Sequence, residues 1–244
     1  MTIFYTICSG MKEPKQNQYV YCLLTMYASL KKKGAMQPGD HFIVMCDIDM
    51  AKHLSTISLL KDIKTIIMSH PKSVYEMMKW KYMLPDLIPT LPTDQVYTYI
   101  DTDILALRPF QTYLPADYLC VFAEGDANDP NYCGEGNEKT TYDPPRKGYT
   151  AGFFQYRLGS SVRAFFKRVL EEMEAPKKYY TLDQPYFNKH LHYPETKFVE
   201  HNTNFMSMNG HKNLKDATLV NCCGEPGDDA FHFQKQLQFW LALF

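Results

Sequence analysis

The chain has 244 residues, 45% hydrophobic and 22% charged, with 26 Lys+Arg against 27 Asp+Glu and a formal net charge of −1. That length predicts one domain with a sizeable core, and the balanced charge argues against nucleic acid as a partner. Seven cysteines with no C-x-x-C pair argue against structural zinc, and Cys8, Cys22, Cys46 and Cys120 lie in apolar runs, as reduced core thiols do.

The opening MTIFYTICSG has no positively charged leader region. No stretch approaches the roughly 18 apolar residues of a membrane span, so a cytoplasmic chain without a transmembrane segment is expected. TIFYTICS (2–9) reads as a buried strand. From Tyr19 to Lys33, Val20, Leu23, Leu24, Tyr27 and Leu30 recur at helical spacing, with three lysines and Gly34 closing the segment. HFIVMCDI (41–48) and IKTIIMS (63–69) read as strands. SVYEMMKWKYML (73–84) reads as a helix capped by Ser73 and stopped by Pro85. VYTYIDTDILAL (96–107) gives the strongest strand signal, followed by YLCVFAEG (118–125) and GYTAGFFQYRL (148–158). SSVRAFFKRVLEEMEA (160–175) places Val162, Phe165, Phe166, Val169, Leu170 and Met173 on one helical stripe. KFVEHNTNFM (197–206) and DAFHFQ (229–234) read as late strands, and His190 and His192 read as exposed, without a role.

Alternating strands and helices predict an α/β fold with a mostly parallel central sheet and helices on both faces. Ligands of such sheets bind beyond the carboxyl ends of the strands. Two acidic pairs fall at such ends, Asp47–Asp49 and Asp101–Asp103. On an extended segment, residues two apart share a face, so a D-x-D pair can hold one divalent cation bridging to a diphosphate. Asp47 runs into the helical pattern AKHLSTISLLK and reads as a cap or loop residue. The polar segment 124–149 is either a tolerated surface insertion or a lid or acceptor-binding loop.

Further motifs surround the second pair. They are TIFYTICS with the Tyr19 helix, Met78-Lys79-Trp80, Asp101-Thr102-Asp103, Thr150-Ala151-Gly152-Phe153-Phe154, and Leu182-Asp183-Gln184-Pro185-Tyr186-Phe187-Asn188. Last comes Phe231-His232-Phe233, with Trp240 eight residues after His232. In this order they resemble the DxD glycosyltransferases of the GT-A fold, the glycogenin-like and lipopolysaccharide sugar-transferase family. Thr150 stands where that family has Asn. Lys235 stands where it has Gly after its His, and Gln238 and Phe239 replace its Lys-Pro.

The resemblance implies a single 1–244 transferase domain, with a nucleotide-binding half (1–107) ending in the D-x-D and a sugar and acceptor half (108–244). It implies a metal-dependent, retaining transfer of a sugar from a nucleotide-diphosphate donor, UDP-sugars favoured, to a hydroxyl of a glycan acceptor. Asp101, Asp103 and His232 would hold Mn²⁺ or Mg²⁺, the mixed oxygen and nitrogen set favouring Mn²⁺. Thr6, Ile7, Cys8 and Tyr19 would hold base and ribose, and Lys79 or Lys235 would neutralise phosphate charge. Thr102, Ala151 and Gly152 would complete the donor site. Asp183 and Gln184 are the catalytic candidates, bonding the sugar hydroxyls, and Asp183 is the nearest candidate nucleophile. Two rivals stand beside this reading. A haloacid-dehalogenase-like phosphatase would also use Asp101 and Asp103, and a sugar-binding module on the same fold would have no catalysis.

Overall fold

β1 (Thr2–Ile7) leads through a short loop to α1 (Gln18–Lys32), and β2 (His41–Cys46) and α2 (Ile48–Ser55) follow. Then come β3 (Lys64–Ile67), α3 (Val74–Leu87), β4 (Val96–Ile100), β5 (Ile104–Ala106), β6 (Leu119–Asp126) and β7 (Lys147–Arg157). α4 (Ser160–Met173), α5 (Gln184–Leu191), β8 (Phe198–Glu200), β9 (Met206–Met208), β10 (Leu219–Asn221) and α6 (Asp229–Leu243) complete the chain. The structure, a computed structural model, describes residues 1–10, 17–110, 113–126, 146–175, 182–210, 214–222 and 229–243, with 126 and 229–232 described by their backbone. The loop expected at 124–149 lies mostly outside the described residues. The expected α/β fold, with a mostly parallel sheet flanked by helices, is present.

The chain forms two compact units. The first comprises Met1–Pro71, Ile100–Thr112 and Asn202–Phe244, and the second comprises Lys72–Tyr99 and Tyr113–His201. Each therefore draws segments from both sides of residue 107.

In the first unit the strand order is β3-β2-β1, all parallel. Five of the six residues are buried in both β1 and β2, the continuous apolar burial of a strand covered on two faces. α1 starts where Asn17 accepts the Tyr19 N–H, and it buries Val20, Cys22, Leu23, Met26, Tyr27 and Leu30. A small second sheet has the order β5-β10-β9. Ser29 of α1 ties it down by accepting the Ala106 N–H at 2.9 Å.

In the second unit the order is β4-β7-β6-β8. Nine consecutive residues of β7 are buried, and its rings build the core. Phe154 stacks on Tyr82, Tyr99 and Phe187, and Tyr156 stacks on Tyr97. α4 begins at Gly159, which has no side chain to cap it. Asp117 supplies the cap from outside, accepting the Ser161 and Val162 N–H groups at 3.1 and 3.0 Å. A Cβ on Gly159 would lie 2.4 Å from the Asp117 carboxyl group. Asp117→Ala is therefore expected to cost about 1–2 kcal/mol in urea unfolding. Gly159→Ala should do comparable damage by displacing the same carboxylate, and a Gly159→Ala chain as stable as the wild type would show that this cap contributes nothing.

Four expectations are corrected here. Pro85 does not stop α3, which runs to Leu87; a proline there forgoes the bond to the Lys81 carbonyl and the helix continues regardless. The strand expected over 96–107 is two strands in different sheets, parted by a turn at 101–103. The strand expected over 197–206 is β8, with Met206 beginning the separate β9. The strand expected at 229–234 is the start of α6.

Candidate functional site

The turn at 101–103 follows the carboxyl end of β4 and is closed by the Ile104 N–H donating to the Asp101 carbonyl at 3.2 Å. The extended geometry assumed for the D-x-D is thus a turn. The Cys222 N–H donates to the Asp103 carbonyl at 2.9 Å. Gln236 Nε2 of α6 donates to the Thr102 carbonyl at 2.9 Å. All three carbonyls of the triplet are therefore engaged, which fixes the backbone that carries the two carboxylates. Asp101 and Asp103 are half-buried and Thr102 is buried. Asp103 is close enough to Cys22 to push that thiol upward, second only to burial. Gln236 and the Cys222 backbone escaped the sequence reading because neither carries a motif.

Among the described residues no group of three or more His, Cys, Asp or Glu side chains is placed to hold a metal. The His232 side chain, the expected third ligand, lies outside the described residues. Two carboxylates on one fixed turn nonetheless fit a hard cation whose remaining ligands are diphosphate oxygens and water.

The first acidic pair has a different use. Asp47 is buried and caps α2, accepting the Met50 N–H at 2.9 Å, the Gly10 N–H at 2.6 Å and the Ser9 hydroxyl at 2.8 Å. Burial alone would raise its pKa. Those donors, with His70 at 3.6 Å, hold it below the usual carboxylate range instead. Asp49 is exposed and faces Lys52. The expected cap role of Asp47 is thus what the geometry gives.

Of the residues expected around base and ribose, Thr6 and Ile7 end β1, Cys8 follows it, all three are buried, and Tyr19 is half-buried in the first turn of α1. The Cys8 N–H is spent on the Met45 carbonyl. Burial first, then Cys46 and Asp47, pushes the Cys8 thiol upward, which keeps it protonated and unreactive. Lys235 sits on α6 beside Gln236, its ammonium 6.0 Å from the Phe239 ring.

The second unit holds a separate polar cluster. Asp183 occupies the N-cap position of α5 but makes no side-chain cap bond. Its carboxylate lies 3.2 Å from the Lys81 ammonium and accepts the Tyr82 hydroxyl at 2.6 Å. Lys81 is 3% exposed and Asp183 4%, so this is an ion pair taken out of water. The Lys81 ammonium also lies 5.2 Å from the Tyr99 ring. Lys79, named from the sequence, is instead paired with Glu174 at 3.0 Å. The signal for Lys81 was present, since it lies four residues from both Met77 and Pro85, on the inner side of α3.

Gln184 and Asn188 fasten α5 to β7. Gln184 Oε1 accepts the Ala151 N–H at 3.0 Å, and Asn188 bonds both the N–H and the carbonyl of Tyr149 at 2.7 Å. The Gly152 N–H goes to the Thr150 hydroxyl. His190, expected to be exposed, is buried against Glu172 at 2.7 Å because the last turn of α5 packs on α4.

No family model matches the chain, and no curated protein matches it either. Among solved structures, it is similar to a glycosyltransferase involved in the glycosylation of the major capsid of PBCV-1. The TM-score is 0.54 at 12% identity, over 97% of this chain and 98% of the other. The two chains share a fold. At this identity the likeness concerns architecture, and chemistry must be argued from side chains. No helix among the described residues is long and apolar enough to cross a membrane.

Proposed function

We propose that the chain is a metal-dependent glycosyltransferase. It moves a sugar from a nucleotide-diphosphate donor, a UDP-sugar before others, to a hydroxyl of a glycan acceptor with retention of configuration. The observation that carries this reading is the D-x-D turn, with its three carbonyls tied down, at the end of a strand in a glycosyltransferase-like fold. The departing nucleoside diphosphate gains charge as the glycosidic bond breaks, and fixed cations lower the cost of that charge. Bound Mn²⁺ or Mg²⁺ would supply Lewis-acid neutralisation, held by Asp101 and Asp103, with His232 the third ligand implied by the resemblance.

Lys235 is the better of the two proposed phosphate cations, because the next residue on its helix touches the D-x-D turn. Lys79 has its ammonium on Glu174. The carbonyl ends of β1, with Tyr19, bind base and ribose. In the second unit Asp183 bonds the sugar hydroxyls, oriented by Lys81 and Tyr82. A carboxylate already accepting from two donors is suited to positioning more than to attack. Gln184, Ala151 and Gly152 complete the sugar-binding set.

A screen of UDP- and GDP-sugars with Mn²⁺, read as release of the nucleoside diphosphate, tests this. Slow, metal-dependent hydrolysis of a UDP-sugar is expected. Cleavage of a generic phosphate ester would point to the phosphatase class instead. Inertness toward every donor would point to a binding module.

A further inference from the structure

We infer that the amide oxygen of Gln236 is a ligand of the divalent cation at the Asp101–Asp103 turn. The inference rests on the metal-dependent reading above, and it concerns a residue that no motif marks. Gln236 is 0% exposed. Its Nε2 donates to two carbonyls, that of Thr102 at 2.9 Å and that of Cys22 at 3.2 Å. Carbonyls only accept, so these two partners identify the nitrogen end of the amide, and the other end is the oxygen.

That oxygen is buried and has no hydrogen-bond partner among the described residues. Buried acceptors are almost always satisfied, and those that are not call for an explanation. Here the explanation is local. The amide is clamped against the middle residue of the D-x-D triplet, with a carboxylate on either side of that residue in sequence. A second buried amide oxygen without a partner among the described residues, Asn221 Oδ1, borders the same turn: Asn221 pairs in register with Ile104, the residue after Asp103.

Carboxylate and amide oxygens form the donor set of Mg²⁺ and Mn²⁺. An ionised carboxylate has no proton to give to the Gln236 oxygen, whereas a cation accepts lone pairs from carboxylate and amide oxygens alike. α6 therefore reaches the metal through Gln236, one helical turn beyond His232, and the Nε2 bonds hold the ligand in place before the cation arrives.

The test uses the full chain and the metal alone, with unbound Mn²⁺ read from its electron paramagnetic resonance signal. Gln236→Met keeps the length of the side chain and removes the oxygen, and it should weaken Mn²⁺ binding by roughly tenfold or more. Gln236→Glu keeps an oxygen at that position and should bind Mn²⁺ at least as tightly as the wild type. A Gln236→Met chain that binds as tightly as the wild type overturns the inference and leaves the metal-dependent reading standing. A wild-type chain that binds no Mn²⁺ overturns both. Thermal melting without metal reports any loss of the Nε2 anchor separately. If Gln236→Met does not fold, the glutamate variant decides, since a folded Gln236→Glu chain that loses Mn²⁺ contradicts oxygen ligation.

Discussion

Lys81→Met is expected to lower the free energy of unfolding by about 3–5 kcal/mol, the usual cost of stranding one member of a buried ion pair. The change leaves the Asp183 carboxylate accepting from the Tyr82 hydroxyl, inside a core of stacked rings. The triple change Lys81→Met, Asp183→Leu, Tyr82→Phe removes the whole cluster and leaves no polar atom of it behind. It should recover most of the lost stability, because apolar packing of similar volume replaces buried pairs at little cost. Urea unfolding of the two variants gives the comparison. Donor hydrolysis should be lost in both, which separates the cluster's work on the sugar from its effect on folding. A stable triple variant that still turns over the donor would remove Asp183 from the site.

The two acidic pairs should part company in the same kind of experiment. Asp101→Ala and Asp103→Ala are each expected to abolish Mn²⁺-dependent UDP binding in calorimetry while leaving the fold intact. Asp47→Ala should leave that binding in place and cost about 3 kcal/mol in stability, since three donors lose a buried anionic acceptor. The acid limb carries the same contrast. The folded-state pKa of Asp47 is lowered, so its contribution is fully present above the unfolded value of about 3.9 and is lost as pH falls below it. Asp47→Asn should therefore flatten the stability profile below about pH 4. Equal loss of UDP binding in all three alanine variants would undo the division of labour.

Local chemistry made much of this legible. Ser73 was readable as a cap because its hydroxyl accepts a neighbouring N–H, at Glu76. Asp47 was readable because a helical pattern follows it. What failed were places where tertiary structure outvotes a local signal. Pro85 marks a stop only if losing one helical bond outweighs the packing of the turn that follows, and it does not. A run such as Phe231-His232-Phe233 suits a strand or a helix equally over so short a length. Phe233, Leu237 and Trp240, at helical spacing, were the wider signal for α6. Asp101 to Asp103 interrupts an apolar run so briefly that the switch between sheets is invisible without β10 to pair with β5. The partners of the site were harder still. Gln236 lies 134 positions from Thr102, and Asp183 lies 102 from Lys81. A linear pattern shows what a residue can do, whereas only the fold shows whom it meets.

The interleaved make-up of the two units bears on how the chain is synthesised. β1, β2 and β3 are made well before α6, whose Gln236 fixes the D-x-D turn. These strands are thus expected to wait, with apolar surface uncovered, until α6 has been made, the interval in which a nascent chain of this topology is most open to chaperones and to aggregation. Removing α6 should for the same reason be felt some two hundred positions earlier in the chain, in the packing of α1, before it is felt anywhere in the second unit.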